Sequence, residues 1–307
     1  MTTSDEPAAA PLHRSVLLDE VVAGLAPRAG GRYCDATVGL GGHASALLDA
    51  CGPDGRLWAV DRDRDALAIA RQQLARFGTR VTFLHAAFSG SRALLEQAAA
   101  LPLDGCLVDL GVSSPQLDRP ERGFSFRRPG PLDMRMDQSQ GETAADYLAR
   151  VDEAELEGVL RDLGEERHAR RIARFIVEDR EKQPITTTAA LAALVARATP
   201  RREHHKDPST RTFQALRIAI NGELAELERL LEDLPGCLAA GGRLAIISFH
   251  SLEDRMVKWR FRALAEPKGS RRFRILTKKP ITAAESELAE NPRARSAKLR
   301  VLERIGE

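Results

Sequence analysis

The stretch Cys34-Asp35-Ala36-Thr37-Val38-Gly39-Leu40-Gly41-Gly42-His43-Ala44, followed by Trp58-Ala59-Val60-Asp61, has the residue types and spacing of a cofactor loop. Glycines at 39, 41 and 42 let a strand turn tightly into a helix and let a nucleotide-like ligand approach the backbone. Asp61 follows Gly41 by 20 residues, an interval at which an acid can grip ribose hydroxyls. Gly39-x-Gly41-x-x-Ala44 also fits the dinucleotide fingerprint, so NAD remains an alternative. Two details favour S-adenosylmethionine (SAM) and a class I methyltransferase fold: Asp35 lies in the strand before the loop, and the requirement stops at one ribose.

A second chemical cluster is Asp109-Leu110-Gly111-Val112-Ser113-Ser114-Pro115-Gln116-Leu117-Asp118, at the carboxyl end of an apolar strand. In open α/β sheets ligands bind over that edge. A carboxylate, hydroxyls and an amide within ten residues can surround one small planar group with acceptors. A turn whose Asp and Ser only cap backbone groups is the plainer reading.

The elements that must position these residues alternate strand and helix. Strands are expected at Arg32 to Ala36, Leu57 to Asp61, Val81 to His85 and Gly105 to Leu110, with helices after Gly42, at Asp63 to Phe77 and near Arg92 to Ala99. This is βαβ grammar for a doubly wound, mostly parallel, Rossmann-like sheet. It stops near Arg119. Helical patterns follow at Ala144 to Leu163, Glu165 to Glu181 and Thr187 to Ala198, and His204 to Pro208 reads as a linker. The sheet resumes with a helix at Thr210 to Leu234, a strand at Arg243 to Phe249, a helix from Glu253 capped by Ser251-x-x-Asp254, and strands at Phe273 to Lys278 and Lys298 to Ile305. Residues 1–118 and 209–307 therefore form a discontinuous methyltransferase domain, and 119–208 an all-helical insertion for substrate recognition.

The 307 residues have a net charge of +2, and no stretch approaches the roughly 20 apolar residues of a membrane span. Without a signal pattern in Met1 to Pro11, a cytoplasmic protein is expected. Cys34, Cys51, Cys106 and Cys237 lack the paired spacing of a metal site or disulfide framework. Charge is uneven: residues 255–300 hold 14 Lys or Arg against four Glu, favouring a phosphate-bearing partner. The insertion balances 17 basic with 17 acidic residues, so RNA contact by Arg127, Arg128, Arg135, Arg167, Arg170, Arg171 and Arg174 competes evenly with a solvated surface. Cys106, after Gly105 in an apolar strand, reads as inert core rather than a carbon-methylating nucleophile. Ser248, His250 and Asp254 lack the nucleophile elbow of a hydrolase.

Several long segments, in order, extend the picture. Asp35-Ala-Thr-Val-Gly-Leu-Gly-Gly-His43, Asp109-Leu-Gly-Val-Ser-Ser-Pro-Gln-Leu-Asp118, Arg122-Gly-Phe-Ser-Phe126, Gly130-Pro-Leu-Asp-Met-Arg-Met-Asp137 and Ser248-Phe-His-Ser-Leu-Glu-Asp-Arg255 resemble the bacterial MraW-like (RsmH) family. His13-Arg-Ser-Val-Leu17, Arg211-Thr-Phe-Gln-Ala-Leu-Arg217 and Asn291-Pro-Arg-Ala-Arg-Ser-Ala-Lys-Leu-Arg300 extend the likeness over almost the whole chain.

That resemblance implies SAM-dependent methylation of a cytidine N4 amine in small-subunit (16S) ribosomal RNA, within the assembled subunit; the sequence leaves monomer and homodimer both open. It implies a cofactor site of Gly41, Gly42, His43, Asp61, Phe88, Asp109 and Gln116, with Phe88 against the adenine and Gly39 left structural. From sequence alone Phe88 reads as a core aromatic and His43 as a helix-start residue. Asp109, Ser113 and Ser114 are the catalytic candidates, and Asp133, Arg135, His250, Arg271 and Arg272 the candidates for substrate contact. Amino methyltransferases often carry Asp/Asn/Ser-Pro-Pro-aromatic here, whereas this chain has Ser114-Pro115-Gln116, which leaves base stacking unassigned. The alternatives are a DNA amino methyltransferase, an NAD-dependent oxidoreductase, and a non-enzymatic ribosome-assembly factor that holds SAM structurally.

Overall fold

Neighbouring residues of each strand enter different cores. The computed structural model describes residues 15–199, 207–266 and 272–306. Within them Tyr33, Leu57, Ala59, Leu107, Ala245 and Ile247 pack on one side of a sheet, while Cys34, Trp58, Val60, Cys106, Val108 and Ile246 pack on the other. Burial on both faces is why these strands are apolar runs rather than alternating ones. Each fully buried Leu or Val contributes roughly 1.5–3 kcal/mol.

The chain opens with α1 (Leu18–Leu25), β1 (Arg32–Asp35), α2 (Gly42–Ala50), β2 (Arg56–Asp61), α3 (Arg64–Gln73), β3 (Val81–His85), α4 (Ser91–Gln97), β4 (Leu103–Asp109) and the short α5 (Ser114–Asp118). Helices α6 (Ala144–Arg150), α7 (Glu153–Gly164), α8 (Ala169–Arg180) and α9 (Thr188–Ala198) follow. The remainder is α10 (Ser209–Asn221), α11 (Glu223–Asp233), β5 (Leu238–Ser248), α12 (Ser251–Ala265), β6 (Phe273–Ile275), α13 (Glu285–Glu290) and β7 (Lys298–Arg304). The sheet order is β3-β2-β1-β4-β5-β7-β6. Its first five strands are parallel, and β7 runs antiparallel to both neighbours. Helices α1 to α3 cover one face, and α4, α11 and α12 the other, so the sheet is mostly parallel and doubly wound, as expected.

A third core joins α6 to α9 with Phe124, Leu132 and Met134, and α10 contributes Phe213, Ala215 and Leu216 to it. Helix α10 therefore packs with the helical layer, beyond the boundary expected at residue 208. Several expected helices are divided. Gly222, at φ 60°, ends α10 and starts α11, a left-handed turn that glycine makes without a Cβ clash. Asp152 breaks the pattern from Ala144 to Leu163 by capping α7, its carboxylate accepting from the Glu155 N–H at 2.7 Å. The cap of α12 lies one residue earlier than the sequence indicated. His250 is the N-cap, and Glu253 Oε2 accepts from the Phe249 N–H at 2.8 Å and the His250 N–H at 3.3 Å. The expected linker residues His204 and His205 lie outside the described residues. No helix among those described is long and apolar enough to cross a membrane.

Candidate active site

Strand register brings the chemistry to one edge. Asp35, Asp61 and Asp109 are the last residues of β1, β2 and β4, and β4 pairs with β5 through Asp109 and Ile247. Over that edge opens a cleft of about 290 Å³, walled by Thr37, Gly39, Gly42, His43, Asp61, Phe88, Asp109, Ser113, Ser114 and Gln116. The sequence-selected loop residues thus converge, with one exchange. Gly39 is in the wall and Gly41 is not among its lining residues.

Local hydrogen bonds explain the loop. The Gly39 N–H donates to Asp61 Oδ2 at 2.8 Å and the Asp63 N–H to Asp61 Oδ1 at 2.9 Å. Gly41 holds φ 88° at the head of α2. At Gly42 a Cβ would lie 2.1 Å from Ser15 Oγ, so a side chain there would force the Ser15 hydroxyl, which closes over the loop, to move. His43 is buried, its Nε2 2.9 Å from the Val16 carbonyl and its Nδ1 3.8 Å from Asp109 Oδ2. The histidine ties Val16 to the loop and presents its other nitrogen toward the acid.

The carboxylates are shifted upward. Burial pushes Asp35 up to about 7, opposed by the Thr37 N–H and aided by the charge of Asp61. Burial also lifts Asp61 to about 6, although the Asp63 and Gly39 N–H groups pull the other way. Asp109 is held well above the carboxylate range by burial, then by the charges of Asp35 and Glu253. Asp35 Oδ2, Asp109 Oδ1 and Ser113 Oγ are buried without a hydrogen-bond partner. Orphaned acceptors of this kind call for a ligand rich in positive charge and N–H groups. SAM fits: its positive charge answers Asp109 in the wall and Asp35 just behind it, its ribose diol answers Asp61, and Phe88 stands in the wall for the adenine.

The loop after β4 behaves differently from expectation. Gln116 is buried, but its Oε1 accepts from the Ser113 N–H at 2.9 Å and its Nε2 donates to Asp63 Oδ2 at 2.8 Å. Its amide thus braces α5 against the head of α3. Asp63 Oδ2 also meets buried Arg122 Nη1 at 2.9 Å. Ser114 Oγ accepts from Arg293, which also reaches Asp118 at 2.6 Å. Ser113 is the freer of the two serines.

The proposed substrate contacts do not gather at the cleft. Asp133 and Arg135 pair with each other through two side-chain bonds of 2.9 Å, which holds Asp133 below its ordinary range against the opposing effect of burial. They fix the loop before α6 and are not in the cleft wall. His250 caps α12, its Nε2 3.1 Å from Glu253 Oε1. Arg272 adjoins the start of β6, where Phe273 pairs with Arg304. Because Glu303 pairs with Arg243 near the far end of β5, Arg272 sits at the opposite end of the sheet from Asp109. Arg271 lies outside the described residues.

Several wall residues were missed. Arg217 and Glu223 form a fork with two bonds of 2.8 Å, and Glu253, Phe249, Asn291 and Arg293 complete the rim. A signal existed for some: Arg217, Phe249, Glu253, Asn291 and Arg293 all lie within the long motifs noted above. Their convergence is a tertiary fact.

A parallel sheet with an antiparallel β7, a glycine turn and an acid-lined cleft over its carboxyl edge define a class I SAM-dependent methyltransferase. The chain belongs to the MraW methylase family, whose model matches residues 10–305. It is similar to the ribosomal RNA small subunit methyltransferase H of Geobacter sp. (strain M21), with 52% identity over 95% of this chain and 98% of the relative. The enzymes of that name from Thioalkalivibrio sulfidiphilus and Halorhodospira halophila are each 53% identical, over 96% and 95% of this chain and 98% and 94% of theirs.

Proposed function

We propose that this protein methylates the exocyclic N4 amine of a cytidine in small-subunit ribosomal RNA, acting on the assembled subunit in the cytoplasm. The names of its close relatives support the RNA. The observation that carries the chemistry is the orphaned acceptor Asp109 Oδ1 in the wall of the cleft, with the Ser113 hydroxyl, the loosely engaged N-cap of α5, beside it. An amine conjugated to a pyrimidine is a poor nucleophile until its N–H groups are held by acceptors that localise the nitrogen lone pair. SAM, when bound, supplies the electrophilic methyl group and a nearby positive charge.

Asp109 would accept one amine hydrogen on Oδ1 and Ser113 Oγ the other. A carboxylate with a raised pKa is suited to keep the released proton at that oxygen. The larger gain comes from orientation. Phe249, within 3.5 Å of a Cβ placed on Gly111, offers a ring for the base in place of the missing aromatic of the tetrad. Bringing the target base into the cleft costs a few kcal/mol of unstacking.

Incubation of the protein with tritiated SAM and either small subunits or naked RNA, followed by nucleoside digestion, tests the reading. Labelled N4-methylcytidine is expected from the subunits, and Asp109→Asn should lower its formation at least about 100-fold while leaving the fold intact. Label on another nucleoside, or in DNA alone, would refute the assignment.

A further inference from the structure

Trp259 is the anomaly outside the cleft. It is 58% exposed, and the other large hydrophobic left in solvent among the described residues is Ile305 near the chain end. Helix α12 turns Glu253, Val257 and Phe261 inward. Arg255, Trp259 and Arg262 recur at i, i+4 and i+7 on its outer face, the spacing of a single helical stripe. The Trp259 ring is flanked by Lys258 Nζ at 5.5 Å and Arg262 Cζ at 5.2 Å from its centroid.

Nearby acids neutralise Arg255 at the start of this stripe and do not reach its ring. Asp254 is taken by Arg300 at 2.7 Å and Lys298 at 3.4 Å, and Glu165 by Arg255 and Ser251. Lys258 and Arg262 have no carboxylate partner among the described residues. Helix α12 itself starts at the cleft, since Glu253 on its inner face is part of the wall. Trp259 lies six residues further, about 9 Å along the helix axis and on the outer face.

We propose that the outer face of α12 is a docking track for a single-stranded segment of RNA, with Trp259 stacked on an unpaired base and Lys258 and Arg262 against the flanking phosphates. The proposal rests on the reading of this protein as an RNA methyltransferase and adds where the strand leading to the cleft is held. An exposed ring between two cations is the arrangement that binds single strands without reading sequence. A protein partner would call for a broader apolar centre. The excess of cations over residues 255–300 supplies the complementary charge.

Fluorescence reads this site directly, because the chain has two tryptophans and Trp58 is buried. Titration with a short oligocytidylate should quench Trp259. Trp259→Ala should weaken binding on the order of tenfold, measured by anisotropy of a labelled oligonucleotide, whereas Trp259→Phe keeps most of the affinity. Lys258→Ala with Arg262→Ala should reduce the slope of log K against log salt by about 1.4. Unchanged oligonucleotide affinity in a Trp259→Ala protein with normal circular dichroism and SAM binding would overturn the proposal. So would a fall in molecular mass in solution, which would make the stripe a contact between copies. Normal oligonucleotide binding with lost activity on subunits alone would assign the stripe to a ribosomal protein and equally refute the track. Quenching as expected without methyl transfer to any RNA would leave the track standing and remove the proposed function.

Discussion

Asp35 carries the cost of a buried carboxylate. Its folded pKa of about 7 exceeds the ordinary 3.8, so the folded state binds more protons than the unfolded one across that interval. Stability is therefore lost as pH rises from about 4 to 7, and the loss is complete above that. Asparagine keeps an oxygen for the Thr37 N–H, which meets Oδ1 at 3.2 Å, and removes the charge. Asp35→Asn should raise ligand-free stability by about 2 kcal/mol at pH 8 and by clearly less at pH 5, as urea denaturation at the two values would show. A gain independent of pH would mean that Asp35 ionises alike in the folded and unfolded states and that burial does not shift it. Ala36 and Thr37 line the cleft, so a cation bound there favours the ionised acid just behind them, and the same substitution should weaken SAM binding.

At the scale of elements, the loop into α2 was legible because its glycines stand where turn geometry requires them. The reason for Gly42 was not. Its φ is unremarkable, and what excludes a side chain is Ser15 Oγ, 2.1 Å from the missing Cβ. Gly42→Ala should cost about 1–3 kcal/mol by overpacking, and adding Ser15→Ala should restore most of that. A thermal-melt double-mutant cycle measures the coupling, and additive losses would show that Ser15 is not the obstacle. Strands could be read from apolar runs, since burial on two faces leaves little else. Helix ends were harder: Ile218-Ala-Ile-Asn-Gly-Glu-Leu-Ala225 keeps its helical pattern straight through the break at Gly222. The cap of α12 was displaced by one residue because histidine, rather than the better-known serine, occupies the N-cap.

Across the whole molecule, one buried arginine joins the sheet to the helical layer. Arg122 Nη1 meets Asp63 at the head of α3, and its Nη2 donates to the Arg135 and Met136 carbonyls at 3.1 and 2.9 Å. Removing it leaves Asp63 a buried charge short of its partner. Arg122→Ala should cost about 3–5 kcal/mol in equilibrium unfolding, and Arg122→Lys should recover only part, because an ammonium cannot reproduce the fork. A loss below about 1 kcal/mol would mean that the two layers do not rely on it. No local pattern predicts such contacts. Ser114 and Arg293 are 179 positions apart, so the rim of the cleft emerges only when the carboxyl-terminal motif returns to the sheet edge. For the same reason Asp133, Arg135 and Arg272, chosen for residue type and motif, turned out to serve a loop and a distant strand end.

The turn after β2 gives adjacent residues separate duties. Asp61 anchors the glycine loop, Arg62 Nη1 reaches the Asn221 carbonyl at 3.1 Å where α10 ends, and Asp63 braces α5 and Arg122. That stretch of backbone has no slack. Deleting or inserting one residue there would misplace cofactor loop, helical layer and α5 together, whereas the exposed turn at 138–141 can absorb a change in length. Divergence in chain length should therefore accumulate around the helical layer and leave Asp61 to Asp63 untouched.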